Sequence, residues 1–235
     1  MHKGQDIVTS TDGDSVTAQI ESPRQEQMAH SGSKRYRWLV ILLLVVAVGA
    51  LAVKEKYRFV AKRWGVVEAG AIYRSGQLSK WVVEKSLTRH NIRMIVDLNP
   101  ILPDNEHQLK EIEVAQKHGL EIVRLPLVGD GTGNIEHYAT AIETLIACKR
   151  QQKPVLIHCA AGAQRTGGIV ACYRLLVQRW TVEQAYHELT RYGWKPQTDQ
   201  ALITYVNGHM AQLAERLVEK EILDRVPQPL PLLAP

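Results

Sequence analysis

The pattern of hydrophobic and polar residues divides the chain into four parts. Residues 1–33 are rich in Ser, Thr, Gln, Asp and Gly without an apolar period, which predicts a disordered tail. An unbroken apolar run, Trp38 to Val53, follows. Over residues 65–223, short apolar runs alternate with segments of helical period, as expected of one globular domain. Residues 224–235 are rich in proline, which predicts a tail that is not helical.

The apolar run is interpreted as a single membrane-spanning helix within residues 34–58. Its sixteen residues cover only about 24 Å of a hydrocarbon core of about 30 Å. Counting from Tyr36 to Tyr57, whose long side chains can reach the interface, gives a span of about 33 Å. A buried helix and a cleaved signal peptide are the alternatives, although the long polar leader is unusual for a signal peptide.

Basic residues lie on both sides of this segment, with the excess on its C-terminal side. They are Lys34, Arg35 and Arg37 before it, and Lys54, Lys56, Arg58, Lys62 and Arg63 after it. The excess favours a single-pass membrane protein with its globular domain in the cytoplasm. Much of the net charge of +5 flanks this segment, which indicates a membrane surface rather than nucleic acid as a partner.

Strands and helices alternate along the globular part. A hairpin is predicted around Gly70, and strands over 92–98, 121–127 and 154–158. Helices are predicted over 79–90, from 104 or 105 to 118, and over 135–149, 166–179, 181–192 and 200–223. This alternation predicts an α/β fold with a central, mostly parallel sheet flanked by helices.

The segment from Pro154 to Gly168, PVLIHCAAGAQRTGG, carries the chemistry. A short apolar strand ends at His158 and Cys159, and a loop then leads into a helical segment. Backbone N–H groups converge in such a loop, and the positive end of the following helix faces it, so strand, loop and helix together form an anion site.

The residue types in this loop favour a phosphate substrate. The amide dipoles and Arg165 are expected to lower the pKa of Cys159, which makes it a thiolate nucleophile. Arg165 can bind two oxygens of one phosphate. Gly162 lets the backbone turn where a Cβ could block the anion. Thr166 places a hydroxyl near the sulfur, where it can stabilise the departing thiolate.

Residues His158 to Thr166, HCAAGAQRT, resemble the HCxxGxxR[S/T] signature of cysteine-dependent tyrosine and dual-specificity phosphatases. The resemblance covers about Val66 to Tyr192 and implies a protein tyrosine phosphatase-like fold. Arg74 to Gln77 resemble the YRSxQ opening of the atypical group, so we expect an atypical, bacterial-type member, to which the apolar run adds a membrane anchor. Arg74 either approaches the phosphate or pairs with a carboxylate.

The resemblance also implies a mechanism without cofactor or metal. Cys159 forms a phosphocysteine that water later hydrolyses. Arg165 and the N–H groups of the loop hold the phosphate. His158 is expected to fix the geometry of Cys159. The phosphate-binding residues are predicted to be Ala160, Ala161, Gly162, Ala163, Gln164 and Arg165.

Asp130 is the candidate proton donor for the leaving group. It follows a strand on the glycine-rich loop VGDGTGN, and such loops commonly close over substrates. Its distance in sequence from Cys159 is similar to that of the family's acid. The alternative is a turn aspartate between glycines. Asp104 and Glu106 are further candidates that fit a helix start better, and Asp97 is expected to be structural.

The expected activity is hydrolysis of phosphotyrosine, with phosphoserine or phosphothreonine in proteins or a small phosphate ester as further substrates. A phosphoinositide phosphatase remains an alternative, although the loop lacks the lysines that usually accompany that substrate. A catalytically weak phospho-binding module and a rhodanese-like sulfurtransferase are two others. Cys148 and Cys172 are predicted to be core residues, and three cysteines form no disulfide framework.

Overall fold

The computed structural model describes the backbone of residues 24–234, and the side chains of residues 36–51 and 56–234. The chain divides into two compact units, Met1–Val53 and Lys54–Pro235. Most of the predicted disordered tail, residues 1–23, lies outside the described residues.

The first helix, α1 (Arg24–Phe59), begins within the predicted tail. Residues 24–28, RQEQM, are good helix formers, which explains why the helix extends beyond the apolar run. The apolar side chains from Trp38 to Leu51 are exposed. Within the part of the chain that the structure describes, no helix is both long and apolar enough to cross a membrane. The span predicted over residues 34–58 is therefore not confirmed and stays a prediction.

The second unit is built on a five-stranded sheet in the order β1-β2-β5-β3-β4. The strands are β1 (Gly65–Glu68), β2 (Ile72–Gly76), β3 (Met94–Asp97), β4 (Glu121–Arg124) and β5 (Val155–Cys159). The pair β1 and β2 is antiparallel, which confirms the predicted hairpin around Gly70. The other pairs are parallel, so β5 lies between two parallel neighbours, β2 and β3.

Helices connect the strands at positions close to those predicted. They are α2 (Val83–Arg89), α3 (Glu106–His118), α4 (Ile135–Arg150), α5 (Gln164–Cys172), α6 (Val182–Arg191) and α7 (Gln200–Glu219). Helix α5 continues into a π-helical turn, Tyr173–Val177. Gly119 ends α3 in the left-handed conformation, and Thr181 forms the predicted capping box with Gln184.

Helices cover both faces of the sheet because neighbouring strand residues point to opposite sides. Ile72, Val96 and Ile157 join one core cluster, together with buried residues of α4, α5 and α7. Tyr73, Ile95 and Leu156 join the other, together with residues of α2 and α3. The predicted α/β architecture is confirmed, including the buried face of the last helix, which consists of Leu202, Val206, Met210, Leu213 and Leu217.

The proline-rich segment after α7 lies against the domain. Leu233 is buried in the larger core cluster, with Leu223. The Asn207 side chain donates to the Leu233 carbonyl at 2.8 Å and accepts from the Leu233 N–H at 2.8 Å. This paired contact fixes the end of the chain on α7.

Candidate active site

The loop after β5 lies at the carboxyl edge of the sheet, where open parallel sheets usually bind ligands. A cavity of about 280 Å³ opens there, and five of its lining residues belong to the predicted site: Cys159, Ala161, Ala163, Gln164 and Arg165. The remaining lining residues come from three other segments: Arg63, Gly129, Gly193, Lys195, Thr198 and Asp199.

Gly162 lets the loop turn against the end of β2. Its φ is +75°, a left-handed conformation that favours glycine, and a Cβ on it would lie 2.5 Å from the Gly76 nitrogen. Its own N–H donates to Cys159 Sγ at 3.1 Å. The tight turn therefore aims a backbone donor at the sulfur.

Cys159 is 1% exposed yet lines the cavity. Burial alone would raise the pKa of this thiol. The neighbouring hydroxyl and backbone N–H of Thr166, the charge of Arg165 and the hydrogen bond from the Gly162 N–H outweigh burial and lower the pKa. The surroundings thus favour the thiolate, which is the nucleophilic form.

Arg165 is held from one side and open on the other. One terminal nitrogen donates to the Leu98 carbonyl at 3.1 Å. Its Nε has no hydrogen-bond partner among the described residues, although the side chain is buried. A planar guanidinium oriented in this way can offer its remaining donors to an oxyanion in the cavity.

Arg74 lies beneath the loop. This arrangement differs from both alternatives that the sequence offered, which were approach to the phosphate and pairing with a carboxylate. Its side chain is fully buried and donates to the Gly162 carbonyl at 2.9 Å. The guanidinium stacks on the Tyr192 ring at 3.9 Å from its centroid. Burial lowers the pKa of Arg74 to about 10, so it stays charged at neutral pH. Arg74 therefore supports the loop from behind.

His158 points away from the cavity into a buried polar cluster. Its Nε2 lies 3.3 Å from a Glu111 carboxylate oxygen and 3.7 Å from an Asp97 oxygen. Burial alone would lower the pKa of His158, but Glu111 and Asp97 outweigh it and raise the pKa to about 9. The His158 ring is therefore a cation at neutral pH and adds positive charge directly behind the nucleophile.

Asp97, Glu111 and His158 bring ligand atoms within 4.8 Å of one another, a spacing that a metal ion could use. Asp97 already accepts hydrogen bonds from Asn99 and Arg124, and Glu111 accepts one from Gln77. The donors fit an internal ion cluster better. Asp97 thus has the structural environment expected from the sequence.

The loop that carries Asp130 packs directly on the phosphate loop. A Cβ on Gly131 would lie 3.4 Å from the backbone of Gln164, and Gly129 lines the cavity. Asp130 accepts hydrogen bonds from the backbone N–H and the hydroxyl of Thr132, at 2.9 and 2.8 Å. The Asp130 carboxylate is therefore held in a defined turn of this loop, and Asp130 is not among the residues that line the cavity.

The other candidates for the proton donor lie at the start of α3. Asp104 is exposed, and Glu106 forms an ion pair with Lys80 at 2.7 Å. Cys148 and Cys172 are buried in the core as predicted, and burial raises the pKa of both thiols, to about 12 for Cys172.

Several residues at the site were not predicted. The sequence places Lys62 and Arg63 at the membrane flank and assigns no functional role to Lys195, Thr198, Asp199 or Glu111. They come from segments distant in sequence that carry no motif, so only the folded chain brings them to the loop.

The sequence profile of the dual specificity phosphatase catalytic domain matches residues 76–217, which is more than half of the chain. The chain belongs to this family. As a member, it is 34% identical to the dual specificity protein phosphatase TpbA of Pseudomonas aeruginosa (strain UCBPP-PA14) over 90 residues, 38% of this chain and 40% of that protein. It is also 31% identical to the dual specificity protein phosphatase OPG106 of Vaccinia virus (strain Western Reserve) over 68 residues, 28% of this chain and 40% of that protein.

Solved structures agree on the fold of this dual specificity phosphatase family member. The crystal structure of P. aeruginosa TpbA superposes with a TM-score of 0.54 at 21% identity, covering 68% of this chain and 91% of that chain. The core catalytic domain of the PP-IP phosphatase SIW14 from S. cerevisiae, in complex with citrate, also gives 0.54, at 20% identity and covering 73% and 97%.

Proposed function

We propose that the chain hydrolyses phosphate monoesters, with phosphotyrosine and other phosphorylated residues in proteins as substrates, through a phosphocysteine intermediate. The observation that carries the proposal is the position of Cys159. Its sulfur lines the cavity, accepts the Gly162 N–H at 3.1 Å, and has a lowered pKa. Membership of the dual specificity phosphatase family supports the same reaction and argues against a sulfurtransferase.

In the first step, the Cys159 thiolate attacks phosphorus and the bond between phosphorus and the leaving oxygen breaks. Arg165 and the loop N–H groups stabilise the negative charge on the equatorial oxygens. Asp130, as its neutral acid, gives a proton to the leaving oxygen. The products of this step are an alcohol or phenol and a phosphocysteine.

In the second step, water attacks the phosphocysteine and the sulfur–phosphorus bond breaks. Asp130, now a carboxylate, takes a proton from the water. Cys159 departs as a thiolate that the Thr166 hydroxyl stabilises, and inorganic phosphate leaves the cavity. Water is the only co-reactant of the two steps.

One observation keeps a phosphoinositide substrate as the second candidate. The variable positions of the loop, Ala160, Ala161, Ala163 and Gln164, carry neutral side chains, but Arg63 and Lys195 line the cavity beside it. These two cations can replace the lysines whose absence from the loop weighed against polyanionic substrates.

The primary test is activity of the full chain on phosphotyrosine peptides and on a phosphoinositide. Cys159→Ser should abolish turnover, whereas Cys148→Ser, which removes a core thiol, should retain it. Vanadate should block the wild type, and a chelator should not. Full activity of Cys159→Ser would contradict the proposal, and binding of phosphopeptide without turnover by the wild type would instead establish the phospho-binding module.

The assignments of the chain to an atypical, bacterial-type group and to a membrane remain proposals. The exposed apolar side chains from Trp38 to Leu51 support anchoring by the segment 34–58. The basic residues after this segment support a cytoplasmic catalytic domain. Fractionation of cells, with a reporter fused after Pro235, tests both, and recovery of the full chain in the supernatant would contradict anchoring.

A further inference from the structure

Three consecutive carbonyl oxygens of the phosphate loop, those of Ala160, Ala161 and Gly162, accept hydrogen bonds from cationic side chains. Arg63 donates to Ala161 at 2.9 Å, and Arg74 donates to Gly162 at 2.9 Å. Lys62 makes a longer contact, 3.5 Å, to Ala160. All three cations precede residue 76, so they lie outside the segment that the family profile matches.

These contacts determine where the amide N–H groups of the loop point. A trans peptide is planar, so the N–H lies opposite the carbonyl of the preceding residue. Holding the carbonyls of Ala160 and Ala161 outward therefore directs the N–H groups of Ala161 and Gly162 inward. The Gly162 N–H indeed donates to Cys159 Sγ. A charged donor on each carbonyl also polarises the peptide and makes its N–H a stronger donor to an anion.

The segment that carries Lys62 and Arg63 is fixed in place by its backbone. The Lys62 carbonyl accepts the Gly76 N–H at 2.7 Å. Gly76 permits this approach, because a Cβ there would lie 3.0 Å from the Lys62 side chain and 2.8 Å from the Ala161 oxygen. Arg63 adopts a φ of +48°, which is uncommon for a residue with a side chain and carries a cost in free energy. A protein keeps such an unfavourable backbone conformation where the surrounding contacts hold the residue in place.

We propose that Arg63, assisted by Lys62, is a positioning residue that holds the phosphate loop in its anion-binding conformation. The segment directly after α1 is thus part of the active site. This inference rests on the proposed phosphatase function for its kinetic consequences, but its effect on anion binding does not depend on turnover.

The test compares Arg63→Ala with Arg89→Ala, a matched loss of an exposed arginine on α2, in the full chain. Because a charge-assisted hydrogen bond is lost, the affinity for orthophosphate, measured by calorimetry, should fall about tenfold in Arg63→Ala and stay unchanged in Arg89→Ala. The pH midpoint for alkylation of Cys159 should rise in the same variant. Arg63→Lys keeps the charge but replaces the planar guanidinium with an ammonium group. Its affinity for orthophosphate should lie between those of Arg63→Ala and Arg89→Ala.

Lys62→Ala should have a smaller effect than Arg63→Ala, since its contact is longer and exposed. The proposal would be overturned if the orthophosphate affinity of Arg63→Ala stays within twofold of the wild type and the pH midpoint for alkylation of Cys159 does not rise. A large fall in the thermal midpoint of unfolding of Arg63→Ala, together with the changes in orthophosphate affinity and alkylation midpoint, would also overturn the proposal. It would assign Arg63 to general stability. If the wild type binds orthophosphate without turnover, the proposed function fails while this comparison still decides the role of Arg63.

Discussion

At the scale of single residues, three buried thiols in one chain differ only in their surroundings. Cys159 has a lowered pKa because hydrogen bonds and Arg165 outweigh its burial. Burial raises the pKa of Cys148 and of Cys172. The same side chain is therefore a nucleophile at one position and an inert apolar residue at the other two.

Iodoacetamide at neutral pH should consequently modify Cys159 much faster than the other two cysteines. The pKa of Cys159 in the folded protein is depressed. The reactivity of Cys159 should therefore persist at pH values below the pKa of an ordinary thiol, and it should be lost only when the pH falls through the lowered pKa. Mass spectrometry of tryptic peptides measures all three sites at once. Equal rates in the folded protein would show that the loop does not activate the thiol.

Asp130→Asn should reveal whether this carboxyl is the proton donor. A general acid contributes about 10² to 10⁴ in rate when the leaving group needs a proton. We expect a loss in this range with phosphotyrosine and a much smaller one with nitrophenyl phosphate. Asp104→Asn, on the exposed loop before α3, is the matched control. Equal losses on both substrates would assign Asp130 to the structure of its turn.

Gly162 and Gly70 offer a comparison at nearly equal backbone angles. Their φ values are +75° and +74°, but a Cβ on Gly162 would lie 2.5 Å from the Gly76 nitrogen, whereas a Cβ on Gly70 has nothing within 4 Å. Both alanine variants should lose about 1 kcal/mol for the left-handed conformation. Only Gly162→Ala should also lose orthophosphate binding and turnover. Wild-type binding in that variant would show that the loop tolerates displacement.

At the scale of elements, two helices restrain the loop that carries Asp130. The Tyr138 hydroxyl on α4 donates to the Gly131 carbonyl at 2.5 Å, and the Tyr205 hydroxyl on α7 donates to the Gly133 carbonyl at 2.6 Å. The bonds lie on either side of Thr132, the residue that holds the Asp130 carboxylate. This loop is therefore held in one position rather than free between its glycines.

Tyr138→Phe and Tyr205→Phe should each slow the hydrolysis of poor leaving groups, by about fivefold to tenfold, since each loses one hydrogen bond of about 1 kcal/mol. Hydrolysis of nitrophenyl phosphate should change less. Tyr186→Phe on α6, where the Tyr186 ring packs edge-on against Trp194, serves as the control. A uniform loss on all substrates would indicate that the tyrosines support the whole domain instead.

Elements with a local cause were predictable from the sequence. Gly119 and the Thr181–Gln184 pair set helix ends through contacts within a few residues, and the phosphate loop is contiguous along the chain. Elements that depend on distant partners were not. Ser79 was expected to start α2, but its hydroxyl donates to the Arg58 carbonyl at 2.6 Å, and the helix starts later, at Val83.

The same distinction applies to the candidate site. Cys159 and Arg165 could be predicted because their spacing carries the chemistry. Arg63 could not, because its charge is indistinguishable in sequence from the other basic residues that follow the apolar run. Its role depends on the backbone contact between Lys62 and Gly76, which forms only when β2 and the segment after α1 are in place.

At the scale of the whole domain, the end of the chain contributes to stability. Leu233 is 1% exposed and packs in the main core, while its neighbour Leu232 is 46% exposed. Leu233→Ala should cost about 2–3 kcal/mol, and Leu232→Ala less than about 0.5 kcal/mol. Urea unfolding measures both. Equal stabilities would show that the last residues do not remain on α7 in solution.

The stacking of Arg74 on Tyr192 imposes a constraint that extends to a third position, Gly65 at the start of β1. A Cβ on Gly65 would lie 2.0 Å from the Tyr192 hydroxyl oxygen, so the ring occupies the space that any larger residue at 65 would need. Positions 65, 74 and 192 should therefore evolve together. A lineage that acquires a side chain at 65 must first shorten the aromatic residue at 192, and it then gives up the surface on which the buried arginine rests.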